Sequence, residues 1–236
     1  MQIKIIAVGS TKWNRFIRRW GVSFLIGEDI LFDTFGDSGV FLKNADRLHI
    51  DFSKIKHIII SHNDWDHISG LWYLINRYKN LTVYICPNFK SEIKERIKSF
   101  GVNIAEVKEC LKIKDQIYTT GELICNSKEE VIYEQSLVIK TPNGLIIITG
   151  CAHPGIINII ENVKKQFNED IYLVLGGLHL KDSNNEQILK VIDKLNEYKI
   201  NKIAPTHCTG KKAEGLLKDK YGRNCLSLKT GQILEV

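Results

Sequence analysis

The sequence predicts an α/β protein, a four-layer αββα sandwich, and three observations predict it. Apolar runs of strand length alternate with stretches of helical period along most of the chain. The alternation occurs twice, in halves of about 1–110 and 120–236, each reading as a sheet covered by helices. No Pro- or Gly-rich linker separates the halves, so residues 1–236 read as one domain with pseudo-duplicated halves.

Taken in order, strands are expected at 2–8, 22–27, 29–33, 56–60 and 82–86, each rich in Ile, Val, Leu or Phe. Further strands are expected at 131–141, 144–150, 171–176, 202–206 and 232–235. Asn143-Gly144 between two of these is a hairpin signal. Helical spacing of apolar residues falls at 67–78, 89–99, 155–167, 185–198 and 210–218. Ser91 with Glu92 and Glu95 is consistent with capping of the second of these helices.

The chain has 236 residues and a formal charge of +6, with a pI near 8.9. That excess is modest, and unbroken basic blocks are absent, so nucleic acid is disfavoured as a partner. A small anionic substrate suits the charge equally well. No segment is long and apolar enough to span a bilayer, so no membrane partner is expected. Met1-Gln2-Ile3-Lys4-Ile5-Ile6 reads as a strand and not as a signal peptide, and a cytoplasmic location follows by default. A homo-oligomer is compatible with all of this.

Six cysteines are present, with no Cys-x-x-Cys pair. Cys86, Cys110, Cys125 and Cys225 read as small hydrophobes. Cys151 and Cys208 each lie beside a histidine that could bind metal.

Ser61-His62-Asn63-Asp64-Trp65-Asp66-His67 is the most informative stretch. It follows the apolar run 56–60 and precedes a helical pattern, so His62, Asp64, Asp66 and His67 sit on a strand-to-helix turn. Ligand crevices of α/β folds form at such carboxyl ends of strands. Imidazole and carboxylate together suit Zn, Fe or Mn. A simpler reading of Asp66, as a helix cap, stands beside this one. His153 in Gly150-Cys151-Ala152-His153-Pro154-Gly155, His179 after Gly176-Gly177, and His207 in Pro205-Thr206-His207-Cys208 repeat the same position at three later strand ends. His179 stays open between ligand, acid–base group, substrate contact and structural histidine.

The heptad resembles the His-x-His-x-Asp-His signature of the metallo-β-lactamase superfamily. Leu31-Phe32-Asp33-Thr34 resembles that family's preceding strand-end Asp motif, and His207 its late histidine ligand. The words Asp66-His67-Ile68-Ser69-Gly70-Leu71, Gly150–Gly155, Gly176-Gly177-Leu178-His179-Leu180 and His207-Cys208-Thr209-Gly210 resemble one branch of it. That branch is described as metal-dependent hydrolases and includes archaeal dihydropterin–ribofuranosylaminobenzene phosphate synthases. Two departures stand out: Asp64 replaces the usual second histidine, and Cys151 the usual Gly-Asp carboxylate. The usual upstream histidine has no match; Glu134 and Gln135 lie nearest, and His153 is its candidate replacement.

The resemblance implies the metallo-β-lactamase type of sandwich and two divalent ions, with Zn favoured over Fe or Mn. It implies His62, Asp64 and His153 on one ion and Asp66, His67 and His207 on the other. Such ions, roughly 3.5–4 Å apart, share a hydroxide nucleophile. Asp33 would stand behind these ligands and orient them. Cys151 is open between a bridging thiolate and a buried small residue. Asp66 and His179 are the candidate catalytic groups.

Trp13, Arg15 and Arg18, with Phe16, Arg19 and Trp20, lie in the loop between the first two strands and suit a planar, anionic ligand, although a solvated basic loop has the same composition. Lys211 and Lys212 open the last helix, where a phosphate is favoured. Lys90, Lys94, Arg96 and Lys98 read as a solvated helix face. The leading expectation is an enzyme, a hydrolase of a small anionic, phosphorylated substrate acting through a metal-bound hydroxide. The alternatives are a pterin-processing transferase, a nuclease or RNA-binding protein, and a non-enzymatic ligand-binding protein on a degenerate fold.

Overall fold

The structure of the protein, a computed structural model, describes residues 1–10, 20–126 and 131–236. The chain forms two compact units, one of Met1–Lys108 with Lys229–Val236 and one of Glu109–Leu228.

The first unit contains β1 (Gln2–Ser10), β2 (Trp20–Ile26), β3 (Ile30–Phe32), α1 (Ser38–Arg47), β4 (His57–Ile59), α2 (Trp65–Ile68), α3 (Leu71–Arg77), β5 (Thr82–Ile85), α4 (Ser91–Ser99) and β6 (Asn103–Glu106). The closing strand of the chain, Ile233–Glu235, pairs antiparallel with β1 and completes a seven-stranded sheet. β1, β2 and β3 are antiparallel, whereas β3, β4, β5 and β6 run parallel. The central parallel strands β3, β4 and β5 are mostly apolar and buried, as strands covered on both faces must be, whereas the edge strand β6 is not. Phe24, Phe32, Ile30, Leu31, Ile58 and Ile59 are fully buried.

The second unit contains β7 (Leu111–Lys114), β8 (Ile117–Thr119), β9 (Leu123–Asn126), β10 (Val131–Glu134), β11 (Leu137–Thr141), β12 (Gly144–Thr149), α5 (Ile156–Phe167), β13 (Ile171–Gly177), α6 (Asn185–Glu197), β14 (Lys202–Thr206) and α7 (Lys211–Tyr221). Its main sheet runs β14-β13-β12-β11-β8-β7, with β12, β13 and β14 parallel and the rest antiparallel. β9 and β10 form a separate ribbon. Ile156, Ile159, Ile160 and Val163 of α5 and Ile188, Ile192 and Leu195 of α6 pack with Val138, Ile147, Val174 and Ile203 of the sheet. An Asn184/Gln187 capping box starts α6. Among the described residues no helix is long and apolar enough to cross a membrane.

The expected elements are present, with the following differences. The helix expected over 67–78 is two helices. The Ser69 and Gly70 amides donate to the carbonyls of Phe35 and Thr34, which diverts the chain between them. Gly70 also lies where a Cβ would meet the Phe41 ring at 2.7 Å. The strand expected over 131–141 breaks at Gln135-Ser136, where Thr119 and Thr120 hydroxyls bond Gln135 and the Ser136 amide. β10 and β11 therefore join different sheets. Ser91 is the first residue of α4 and not its N-cap; Lys90 takes the N-cap position and makes no side-chain capping bond. Cys110 is exposed, because it precedes an edge strand. On the basic face of α4, Arg96 lies over the Trp72 ring at 3.8 Å and Lys94 pairs with Glu106.

Helix α1 and strands β6 to β9 lie where no element is expected. α1 is capped by Asp37, whose carboxylate accepts the Val40 amide, and buries Phe41 and Ala45. The hairpin of β11 and β12 forms as expected, with Pro142 and Asn143 in its turn.

Ile147→Ala, in the packed face of the second sheet, is expected to lower unfolding free energy by about 2–5 kcal/mol. Ile233→Ala, half exposed on the closing strand, should stay within about 0.5 kcal/mol. Urea unfolding of both variants checks this; equal effects would contradict the assigned packing.

Candidate metal centre

In the first unit the parallel strands end at Asp33, after β3, and at Ser61 and His62, after β4. Asp33 is fully buried and takes a left-handed backbone, φ 54°. Its carboxylate accepts the Ser61 amide at 2.7 Å, the Ser61 hydroxyl at 2.8 Å and His67 Nδ1 at 2.6 Å. Because Ser61 Oγ gives its proton to Asp33, it accepts from His62 Nδ1 at 2.8 Å. Both imidazoles thus carry their proton on Nδ1, and both Nε2 atoms face carboxylates. His62 Nε2 is 3.6 Å from Asp64 and His67 Nε2 is 3.3 Å from Asp66. The two rings stand 4.1 Å apart, centroid to centroid.

This donor set fits a divalent cation. Ligating histidines donate the far ring N–H to a carboxylate or hydroxyl, as both do here. Burial opposes a charge on His67, yet Asp33 and Asp66 outweigh it and hold its pKa well above the ordinary imidazole value. Two buried carboxylates around one buried imidazole call for positive charge at this place. Asp66 and His67 are buried, while the Asp64 side chain is 42% exposed. Asp66 lies in the first turn of α2; the N-cap position belongs to Asp64, which makes no capping bond.

In the second unit the parallel strands β12, β13 and β14 end at Cys151–His153, His179 and His207-Cys208. Glu134, fully buried at the end of β10, organises the first of these turns. Its carboxylate accepts the amides of Cys151, Ala152 and His153 at 3.0, 2.8 and 2.7 Å, and His153 Nδ1 at 3.0 Å. His153 is therefore set in the same tautomer as His62 and His67. The His179 ring lies 4.4 Å from the His153 ring. His207 Nε2 is 3.2 Å from Cys151 Sγ, and Cys208 Sγ is 3.3 Å from the Cys151 carbonyl oxygen. Ala152, His179 and His207 all have positive φ, of 62°, 52° and 56°. Each such backbone costs about 1–3 kcal/mol and persists where the surroundings impose it.

The Cys208 side chain raises the pKa of His179 against the effect of burial, with smaller help from Glu134 and Asp182. Burial pushes the Cys208 thiol up; the Cys151 side chain, His207 and His179 together outweigh it and hold Cys208 well below the usual thiol value. A pocket of about 260 Å³ opens beside these rings, lined by His153, His179 and the apolar Ile156, Ile157, Leu178 and Leu180.

Each unit gathers its own expected site residues. His62, Asp64, Asp66 and His67 gather with Asp33 in the first unit, and Cys151, His153, His179 and His207 gather in the second. Lys211 is exposed at the start of α7. Trp13, Arg15 and Arg18, with Phe16 and Arg19, lie outside the described residues. The cradling role of Glu134 and the place of Cys208 among these groups were not expected. A lone carboxylate at a strand end carries no spacing signal, so only the sheet break after it could have revealed Glu134.

The family model described as "Metallo-beta-lactamase superfamily" matches residues 21–207. A 7,8-dihydropterin-6-methyl-4-(beta-D-ribofuranosyl)-aminobenzene-5'-phosphate synthase of Methanocaldococcus jannaschii is 29% identical, over 93% of this chain and 91% of its own length. The uncharacterized protein MJ0448 of the same organism is 32% identical, over 89% of this chain and 91% of its own. Among solved structures, Tm1679, a metal-dependent hydrolase of the beta-lactamase superfamily, is similar with a TM-score of 0.83 and 29% identity, covering 100% of this chain and 99% of that one.

Glu134→Ala removes the acceptor of three backbone amides and one imidazole, and is expected to cost about 3 kcal/mol or more in stability. Chemical denaturation checks it; a loss below about 1 kcal/mol would contradict the cradling role. Asp33→Asn is expected to lower metal affinity by about 10–100-fold with the fold retained, read by chelator competition.

Proposed function

The chain belongs to the metallo-beta-lactamase superfamily, and on that premise we propose that it is a metal-dependent hydrolase of a small anionic, phosphorylated substrate. Its α/β fold is the metallo-beta-lactamase fold of the solved structures that it matches. The observation that supports the activity best is the paired His62 and His67, each tied through Nδ1 with Nε2 beside a carboxylate.

The ligand assignment follows the family resemblance: His62, Asp64 and His153 for one ion, Asp66, His67 and His207 for the other. Imidazole and carboxylate donors favour Zn, with Fe or Mn as the harder alternatives. Two bound divalent ions would supply Lewis acidity toward water and toward a phosphoryl oxygen. Asp33 and Glu134 keep His67 and His153 in the tautomer that presents Nε2. Asp66 Oδ2 takes a proton from the attacking water. His179, exposed beside His153, gives a ring proton to the leaving oxygen. Lys211, at the N-terminus of α7, is assigned to the substrate's anionic group. Trp13, Arg15 and Arg18 are assigned to the same substrate, by stacking and by charge. The whole chain acts as one domain, in the cytoplasm, and without a membrane or nucleic-acid partner.

A second reading is a pterin-processing transferase. The synthase relative favours it, and so does the apolar pocket beside His153 and His179, which has room for a planar ring. The same metal ligands would then face a leaving phosphate group.

Elemental analysis of protein purified without chelator is expected to give about two metals per chain. Turnover of a phosphoester panel should fall at least about a thousandfold in both Asp66→Ala and His207→Ala, a loss of roughly 4 kcal/mol in transition-state stabilisation. Metal-loaded wild-type protein inert on that panel would contradict the hydrolase. Quenching of a reduced pterin's fluorescence by such inert protein would instead support the transferase.

A further inference from the structure

Cys208 has no part in the ligand assignment above, yet it is buried beside Cys151, against His179. One sulfur from Cys151, one from Cys208 and a ring nitrogen of His179 lie within 4.8 Å of one another. These donors come from the ends of three adjacent parallel strands, β12, β13 and β14. Their spacing is therefore set by the sheet and not by a mobile loop. Gly177 supports the arrangement: a Cβ there would fall 2.6 Å from Cys208 Sγ and 2.4 Å from the Gly150 carbonyl oxygen. A side chain at 177 would displace the sulfur from the group.

We infer that Cys151, Cys208 and His179 form a binding site for a thiophilic cation softer than the ions assigned above, such as Cd²⁺ or Cu⁺. Two thiolates and an imidazole are the donors such ions prefer over Mg²⁺ or Mn²⁺. Tetrahedral Zn–S and Zn–N bonds place neighbouring donors roughly 3.5–3.8 Å apart, so a short inward closure of the trio completes the geometry. Each thiol releases its proton to solvent as its metal–sulfur bond forms. The sulfurs are buried but His179 is exposed, so the ion enters from the His179 side and keeps a fourth position open there. The site shares no residue with the six ligands assigned above, although Cys151 Sγ also lies 3.2 Å from Nε2 of His207, one of those six, so Cys208 is the donor that distinguishes it. One consequence does rest on that reading: an ion held by His179 withdraws the proton donor, so a thiophilic cation inhibits turnover.

Co²⁺ titration of the reduced protein, under argon, tests the site by the near-ultraviolet sulfur-to-cobalt charge-transfer band. Wild type is expected to show the band. Cys151→Ser and Cys208→Ser should each remove about half of it, and the double variant all of it. Cys225→Ser, His62→Ala and Asp66→Ala should leave it intact, even where the last two abolish turnover. No band at saturating Co²⁺, a band unchanged in Cys208→Ser, or a band that survives the double variant overturns the inference. Wild-type protein provides a check that needs no variant. Cd²⁺ should protect Cys151 and Cys208, but not exposed Cys110, from alkylation mapped by mass spectrometry. Equal labelling of all three with and without Cd²⁺, or isolation of Cys151 and Cys208 as a disulfide from protein kept under argon, also overturns it.

Discussion

In each unit a buried carboxylate at a strand end holds the turn that carries imidazoles. Asp33 binds the amide and hydroxyl of Ser61 together with Nδ1 of His67. Glu134 binds three successive amides and Nδ1 of His153. Hydrogen bonds from N–H groups to a charged carboxylate are among the stronger ones available to a protein. Here they stabilise backbone turns that no helix or sheet ladder could satisfy. The same bonds decide which ring nitrogen is left to face outward, so fold and chemistry depend on one contact type.

The sheets determine where those contacts occur. Each unit turns from antiparallel to parallel pairing partway across, and the parallel strands end on one edge. Left-handed residues follow at Asp33, Ala152, His179 and His207. None is glycine; Asp33, His179 and His207 belong to these groups of side chains and Ala152 lies between Cys151 and His153, whereas other left-handed residues, such as His49 and Lys199, lie elsewhere. Such strain at side chains that carry chemistry is retained because the surrounding bonds fix the turn.

The strand-to-helix turns were legible in the sequence because apolar runs of period two or continuous burial stop at His62, His153, His179 and His207. The family was legible in the ordered motifs. Helix α1 was not, because Gly39 and a charged stretch mask the pair Phe41 and Ala45 that it buries. Strands β6, β7 and β9 carry no fully buried residue and so lack a core signal, and β8, which does alternate, is only three residues long. Glu134 is a different case. Its importance comes from a break between two sheets, which depends on Thr119 and Thr120 far from it in sequence. Cys208 likewise gains its meaning from Cys151 and His179, brought near by parallel pairing and not by spacing along the chain.

The most direct test is the ring-nitrogen state of His62, His67 and His153, read by long-range ¹⁵N–¹H correlation NMR on zinc-loaded protein with these resonances assigned. Carboxylate-held turns require Nδ1 protonated and Nε2 bound to metal in all three. Metal on Nδ1, or a proton on Nε2, in any of them would contradict the role given to Asp33, Ser61 and Glu134.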